Sequence, residues 1–241
     1  MSALVQMHKT ADPLPASVDY ASKLPDDSGV MLNDRLGCCT CAALYHAIQV
    51  WSSWTNPDKL VITEPDECVL QTYEEACGYN PDDPSTDGGG IEQNVLTYYA
   101  KTGIPTGPHA ETRHHLRAFV EVDVRNLDDI KRAIYECGLV YIGFAVPSTI
   151  MPEGEPIPKV WDTQLLKHPK ILGGHAIILA GYDKDGFSLI SWGSKYEMTY
   201  RFFRKYTDEA YALADIDWLD GMGKTLLGMS MAELKAQMSA L

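Results

Sequence analysis

The sequence predicts an α+β protein, helical in its first half and built of antiparallel strands in its second. Three observations predict it. Apolar residues recur at intervals of three and four in the segments before residue 108. Alternating, β-rich runs follow. No internal repeat or low-complexity tract divides the chain. The 241 residues, 45% of them apolar, suffice to bury a sizeable core within one domain spanning 1–241.

Residues 1–30 read as an extended arm, because "DPLP" and "LPDDSG" block helix. A mainly helical lobe follows over 31–108. From Thr40 to about Trp54, Ala43, Ala47, Val50, Trp51 and Trp54 share one apolar face. Residues 65–77 form a second helix, with Thr63 as its cap and Pro65 in the first turn. "GYNPDDPSTDGGG" is a turn-rich loop, and "IEQNVLTYYAKTGI" resumes helical spacing until Gly103. Residues 109–220 read as a mainly β lobe. There "LDDIKRAIYECG" is a short amphipathic helix ended by Gly138, and "LVYIGFAV" is a strand. "GGHAIILAGYDKDGFSLISWG" gives two strands around "DKDG", and "MTYRFFRKYTDEAYAL" one more. The basic knot "ETRHHLRAF" reads as a solvated face with no ligand. Over 221–241, Ser230 and Glu233 stand at capping-box spacing before a helix whose Met231, Leu234, Met238 and Leu241 share a face. Packing on its own domain is the expected use of that face, and an oligomer contact the alternative.

A formal charge of −13 disfavours nucleic acid and anionic membrane surfaces as partners and favours neutral or cationic ligands. The N-terminus lacks the charged start and apolar run of a secretory signal, and no apolar run approaches the ~20 residues of a membrane span. The expectation is a soluble, cytoplasmic protein whose six cysteines are reduced thiols.

Three of those cysteines crowd into "GCCTC", residues 37–41. Cys38 and Cys41 have the spacing of a zinc pair, but no second pair answers them. His46 lies about two turns beyond Cys39, ~10 Å at 1.5 Å per residue, too far to share one ion. The expectation is therefore no metal at this cluster and no cofactor. A reactive thiol fits better. The first turn of a helix offers unpaired N–H groups and the positive end of its dipole, and Gly37 permits the tight turn into it. Such a thiol needs a histidine base from another element.

Five segments in order resemble the papain-like cysteine peptidases. "LPASVDY" resembles the opening "LPxSVDWR", and "LNDRLGCCTCAA" the nucleophile segment "KNQGxCGSCWAF". "DGGGIEQNVLTYYAKTGI" is similar to "GCxGGxPxxALxYxxxxGI", and "LDDIKRAIYECGLVYIGFAV" to "LKxAIAxGPVSVAI". "GGHAIILAGYDKDGFSLISWG" resembles "NHAVxxVGYGxxxxxxYWIxKNSWG". Cys39 and His175 are 175 − 39 = 136 residues apart, within the range such a pair takes. The resemblance implies a papain-like two-lobed fold, a helical lobe facing a β-barrel-like lobe across a cleft. It also implies hydrolysis or transfer of peptide or isopeptide bonds through an acyl-enzyme. Cys39 and Cys41 both qualify as nucleophile. Only Cys39 has the family's glycine two residues before it, Gly37, and an amide six before it, Asn33, to donate to the oxyanion with the Cys39 N–H. His175 takes the role of general base. Gly88, Gly89, Gly90, Gly174 and Trp192 match positions that hold a peptide or protein substrate.

The sequence departs from that family at the third member, where Ile190 stands in place of the asparagine that orients the histidine. Strand alternation turns Ile190 and Trp192 to one face and Ser191 to the other. Ser191 serves instead only if the strand shifts by one residue, through a bulge next to Gly193. The alternative reading is therefore a scaffold without turnover, a peptide-binding or structural component of a bacterial or viral assembly.

Overall fold

The computed structural model describes residues 13–56, 58, 60–163, 168–239 and 241. The first twelve residues of the expected arm lie outside that set, and the remainder is docked. Strand β1 (Val18–Asp19) pairs with the strand that carries His175, and Tyr20–Lys23 form a 3-10 turn that buries Tyr20 and Ala21.

Helix α1 (Cys39–Thr55) begins one residue earlier than the apolar periodicity indicates and is buried continuously from Thr40 to Ser53. A helix buried on every face must satisfy its own polar side chains. Gln49 accepts from His46 Nδ1 at 2.8 Å and donates through Nε2 to the Ser28 carbonyl and to Thr63 Oγ1, both at 2.9 Å. Thr63 is thus engaged with α1. Helix α2 (Asp66–Cys77), which it was expected to cap, starts at Pro65 without a side-chain cap and ends at Gly78 in the left-handed region. Helix α3 (Glu92–Lys101) leads into a two-stranded ribbon, β2 (Ile104–Thr106) with β3 (Thr112–His114). The basic knot on β3 is not merely solvated: Arg113 donates to both Glu75 carboxylate oxygens, at 2.8 and 2.9 Å, and to the Gly103 carbonyl.

Strand β4 (Ala118–Glu121) precedes α4 (Leu127–Cys137). The Asn126 side chain caps α4 by accepting from the Asp128 and Asp129 N–H groups. Its last carbonyls, which no intrahelical donor can reach, are met by two indoles: Trp51 Nε1 donates to Cys137 and Trp218 Nε1 to Glu136, each at 2.8 Å. Then follow β5 (Val140–Pro147), β6 (Val160–Trp161), β7 (Ile171–Tyr182), β8 (Gly186–Ser191) and β9 (Ser194–Thr199). The expected single strand after Met198 is interrupted by a helix, α5 (Tyr200–Tyr206), before β10 (Thr207–Ala214). Thr199 accepts from the Phe202 N–H as its cap, so a local hydrogen bond overrides the β propensity of the aromatic run.

The main sheet has the order β4-β10-β5-β7-β8-β9-β6, with β1 added to β7. The expected barrel is corrected: β4 and β6 form opposite ends of this order and do not pair, so the sheet is open. It is not wholly antiparallel either, since β6 runs parallel to β9. Helix α1 packs across β7, which places the start of α1 beside the middle of that strand. Helix α6 (Met231–Met238) carries the capping box read from Ser230 and Glu233 and buries Leu234 and Met238 within the chain. Met231 and Leu241 of the same face are partly buried.

Replacing Trp51 with Phe keeps an aromatic ring but removes the donor to a fully buried carbonyl and vacates part of the indole's space, a loss of at least about 1–3 kcal/mol. Urea unfolding of Trp51→Phe is expected to report that decrease. A midpoint equal to wild type would show that the Cys137 carbonyl finds another donor.

Candidate active site

The loop before α1 is held in an uncommon backbone. Met31 and Leu32 take φ of 53° and 63°, and both are buried, so side-chain packing holds a left-handed pair that non-glycine residues rarely adopt. From this turn the chain reaches Gly37, whose N–H donates to Asp87 Oδ1 at 2.8 Å. A Cβ at residue 37 would lie 2.9 Å from that oxygen and 3.3 Å from Tyr73 Oη, so only glycine fits. Asp87 also accepts from Tyr73 Oη at 2.6 Å, and that hydroxyl accepts from the Gly89 N–H at 2.9 Å. The glycine loop is thereby clamped to the start of α1. Of its three glycines, Gly90 is packed, since a Cβ there would sit 2.6 Å from both Cys77 Sγ and Thr40 Oγ1. Gly89 supplies a φ of 80°, and Gly88 is exposed, with only the Thr86 carbonyl oxygen, at 3.9 Å, near a Cβ position.

Cys38 is the N-cap residue and Cys39 the first helical one. Burial raises the Cys39 thiol above its ordinary pKa and Glu92 adds to this. The N–H groups of Ala176, Thr40 and Cys39 act in the opposite direction on the sulfur. Cys39, His175 and Ala176 line the same small cavity. Cys41 does not share this position. It is fully buried, with its Sγ 3.9 Å from Cys77 Sγ, and its hydrogen bond to Cys77 and burial push its thiol far up. None of the six cysteines is in a disulfide.

His175 sits on β7 opposite Phe144 of β5. Its Nε2 is 2.8 Å from Ser191 Oγ, and its ring stacks on Trp192 with centroids 4.4 Å apart and planes 10° from parallel. Two-residue turns with positive φ join twisted strands, and Trp192 and Gly193, at 45° and 74°, make such a turn between β8 and β9. Trp192 is therefore not on the strand. The alternation that set Ile190 and Trp192 on one face fails there, and Ser191 turns to the imidazole. The register shift lies in β7 between Leu179 and Gly181, not next to Gly193 as the sequence led us to expect. Gly193 is required for another reason: a Cβ would stand 2.9 Å from the Gly29 carbonyl carbon. Gly174 has no atom of the chain near a Cβ position, so it marks open surface and not a close backbone approach.

Val30, Asn33, Cys39, His46, His175 and Ser191 are among the residues lining one cavity of about 10 Å³, room for one water. Asn33 spends one amide N–H on the Leu36 carbonyl at 3.1 Å and keeps the other. His46 escaped sequence reasoning as a site residue. Its Nδ1 must donate, because its partner Gln49 Oε1 only accepts; its seven-residue separation from Cys39 was the one signal that put it on this face. Burial, and next the nearby His46, depress the His175 imidazole to about 3. With the thiol raised and the imidazole lowered, the resting pair is neutral. A larger cavity of about 220 Å³ near Tyr182 and Phe187 contains none of these residues.

No family model matches the sequence, and no curated protein does. Solved structures do match. Xylellain, a cysteine protease from Xylella fastidiosa, superposes with a TM-score of 0.64 at 18% identity, over 85% of this chain and 87% of that one. Digestive procathepsin L 3 of the Tenebrio molitor larval midgut gives 0.58 at 13% identity, over 85% and 71%. A Carica candamarcensis cysteine protease in complex with E-64 gives 0.55 at 12% identity, over 84% and 99%. The chain has the papain-like cysteine-protease fold in a divergent form, as its sequence motifs imply. No helix among the described residues is long and apolar enough to cross a membrane.

Beside the site, Gly143 leaves room for Glu92, whose Oε1 lies 2.6 Å from where a Cβ would be. Burial and the adjoining Glu209 push the Glu92 carboxyl up to about 7. Its folded pKa exceeds its unfolded value, so its contribution to stability is complete below about pH 4.5 and is lost as pH rises through about 7. Glu92→Gln should therefore gain stability relative to wild type between about pH 4.5 and 8 in denaturant titrations. A gap that does not change with pH would contradict the buried carboxyl.

Proposed function

We propose that the protein is a cysteine peptidase acting on peptide or isopeptide bonds, with Cys39 as nucleophile and His175 as general base. The observation that supports this reading is the small cavity that Cys39, at the first turn of α1, shares with a histidine whose Nε2 lies 2.8 Å from Ser191 Oγ. With Nε2–H donating to Ser191 Oγ, the lone pair is on Nδ1 and takes the thiol proton as sulfur attacks the substrate carbonyl. The oxyanion forms against the Cys39 N–H and the second amide N–H of Asn33. On collapse the C–N bond breaks, and His175 returns its proton to the leaving amine. Water, deprotonated by the same imidazole, then cleaves the thioester and regenerates the thiol. Gly88 and Gly174, both exposed, offer backbone to an extended substrate, Gly89 and Gly90 fix the loop beside them, and Trp192 shields the His175–Ser191 bond from water. In this reading the helical residues 31–108 and the strand-bearing residues 109–220 flank the cleft.

One observation favours the second reading, a peptide-binding scaffold without turnover: the buried pair is neutral at rest, so a depressed imidazole must deprotonate a raised thiol. A peptidyl acyloxymethyl ketone separates the two, because its labelling needs both nucleophile and base. Mass spectrometry is expected to find one adduct on Cys39, absent in Cys39→Ser and at least ~100-fold slower in His175→Ala, since general-base assistance contributes about 10²–10⁴. Cys41→Ser should label as wild type does. An adduct on Cys41 would overturn the assignment of Cys39, and no adduct, or equal rates with and without His175, would overturn the peptidase reading in favour of the scaffold.

A further inference from the structure

At the far end of α1, about 24 Å from Cys39 by the rise of 16 residues, three side chains from separate segments converge. His114 closes β3. Asp215 follows β10 and caps a 3-10 turn (Ile216–Trp218) that also carries Asp217. His114 Nε2 stands 3.2 Å from Asp215 Oδ1 and 3.4 Å from Asp217 Oδ2, and all three ligand atoms lie within 4.8 Å of one another. Asp215 is fully buried.

The surrounding hydrogen bonds fix the state of the imidazole. Tyr99 Oη donates its single proton to Asp215 Oδ2 at 3.2 Å, because a carboxylate only accepts. His114 Nδ1, 2.7 Å from Tyr99 Oη, must therefore donate to that hydroxyl. In the neutral ring Nε2 is then a lone pair facing two carboxylates, an arrangement that needs a cation in its midst. Both carboxylates favour a proton on Nε2, but its hydrogen-bond geometry there is poor. The atom is buried yet makes no hydrogen bond, so neither carboxylate oxygen lies on the axis such a proton would take. A proton also leaves one net negative charge on a site whose Asp215 is out of water. A divalent ion leaves none. With bonds of about 2.0–2.2 Å at tetrahedral angles, ligand atoms sit about 3.3–3.5 Å apart, close to both separations seen here.

We propose that His114 Nε2, Asp215 Oδ1 and Asp217 Oδ2 bind a divalent first-row transition ion, zinc by preference, which fastens the β2–β3 ribbon to the end of β10. Tyr99 is the outer partner that fixes the histidine tautomer, as metal-ligating histidines require. The half-exposed side of Asp217 leaves a coordination position for water. The segment read from sequence as a solvated face without a ligand thus supplies one ligand, and the "DID" of residues 215–217 the other two.

Cobalt(II) titrated into EDTA-treated protein tests this. One equivalent should bind, with the visible bands of an oxygen and nitrogen site and no thiolate charge-transfer band. Zinc should displace it and raise the unfolding temperature. Binding should be unchanged in Cys39→Ser and His175→Ala, weakened about 10–100-fold in Tyr99→Phe, and lost in His114→Gln and Asp217→Asn. If His114→Gln does not fold, Asp217→Asn, at a partly exposed position, decides. No saturable binding, binding that survives Asp217→Asn, or a thiolate band that disappears with Cys39 would overturn the proposal. The first of these would leave an imidazolium between two carboxylates.

Discussion

The junction where the first turn of α1 meets β7, with Cys39 and His175 on one small cavity, is the constraint on which the site depends. It joins a helix buried along nearly its whole length to an interior strand of the sheet, so neither partner can withdraw without opening the core. Everything nearby serves to hold that junction. The left-handed Met31–Leu32 pair turns the chain into α1, Asp87 and Tyr73 tie the glycine loop to Gly37, and the Trp192–Gly193 turn lays an indole over the imidazole. These are strained or glycine-dependent backbones, and burial of the attached side chains maintains them.

The same burial sets the protonation state. Lowering the His175 imidazole from 6.5 to about 3 corresponds to a penalty on the order of 5 kcal/mol against the imidazolium, and burial adds a further penalty against the Cys39 thiolate. An ion pair at about 4 Å recovers only about 4 kcal/mol at the effective dielectric of a protein. The charged pair does not recover its desolvation, and thiol and imidazole rest neutral. Ser191 suits that state. A hydroxyl orients a neutral ring well, whereas a carboxylate in its place would favour the charged one.

Much of this was legible from the residues. Helical periodicity located α1 to within one residue at its start, and the family resemblance, through Gly37 and Asn33, favoured Cys39 over Cys41. The third member was harder to read. Alternation is a property of strands, and it fails where Trp192 takes a positive φ, so Ile190 appeared to occupy a position that geometry gives to Ser191. The helix α5 was hidden because Tyr200, Phe202 and Phe203 favour strand in isolation, although Thr199 three residues before Phe202 was a readable cap. Barrel closure was an inference from likeness; strand order is decided by long-range pairing that no local pattern records. His46 was dismissed as a ligand for its distance along the helix, yet from α1 it lines the same cavity as His175.

The central claim is that His175 is neutral, with its proton on Nε2 and held by Ser191. Nitrogen-15 NMR of the imidazole, assigned by its loss in His175→Gln, measures this directly. The account predicts one protonated and one bare ring nitrogen, with Nε2 the protonated one, unchanged from about pH 8 down to about pH 5. Two protonated nitrogens near pH 6, or a proton on Nδ1, would contradict it.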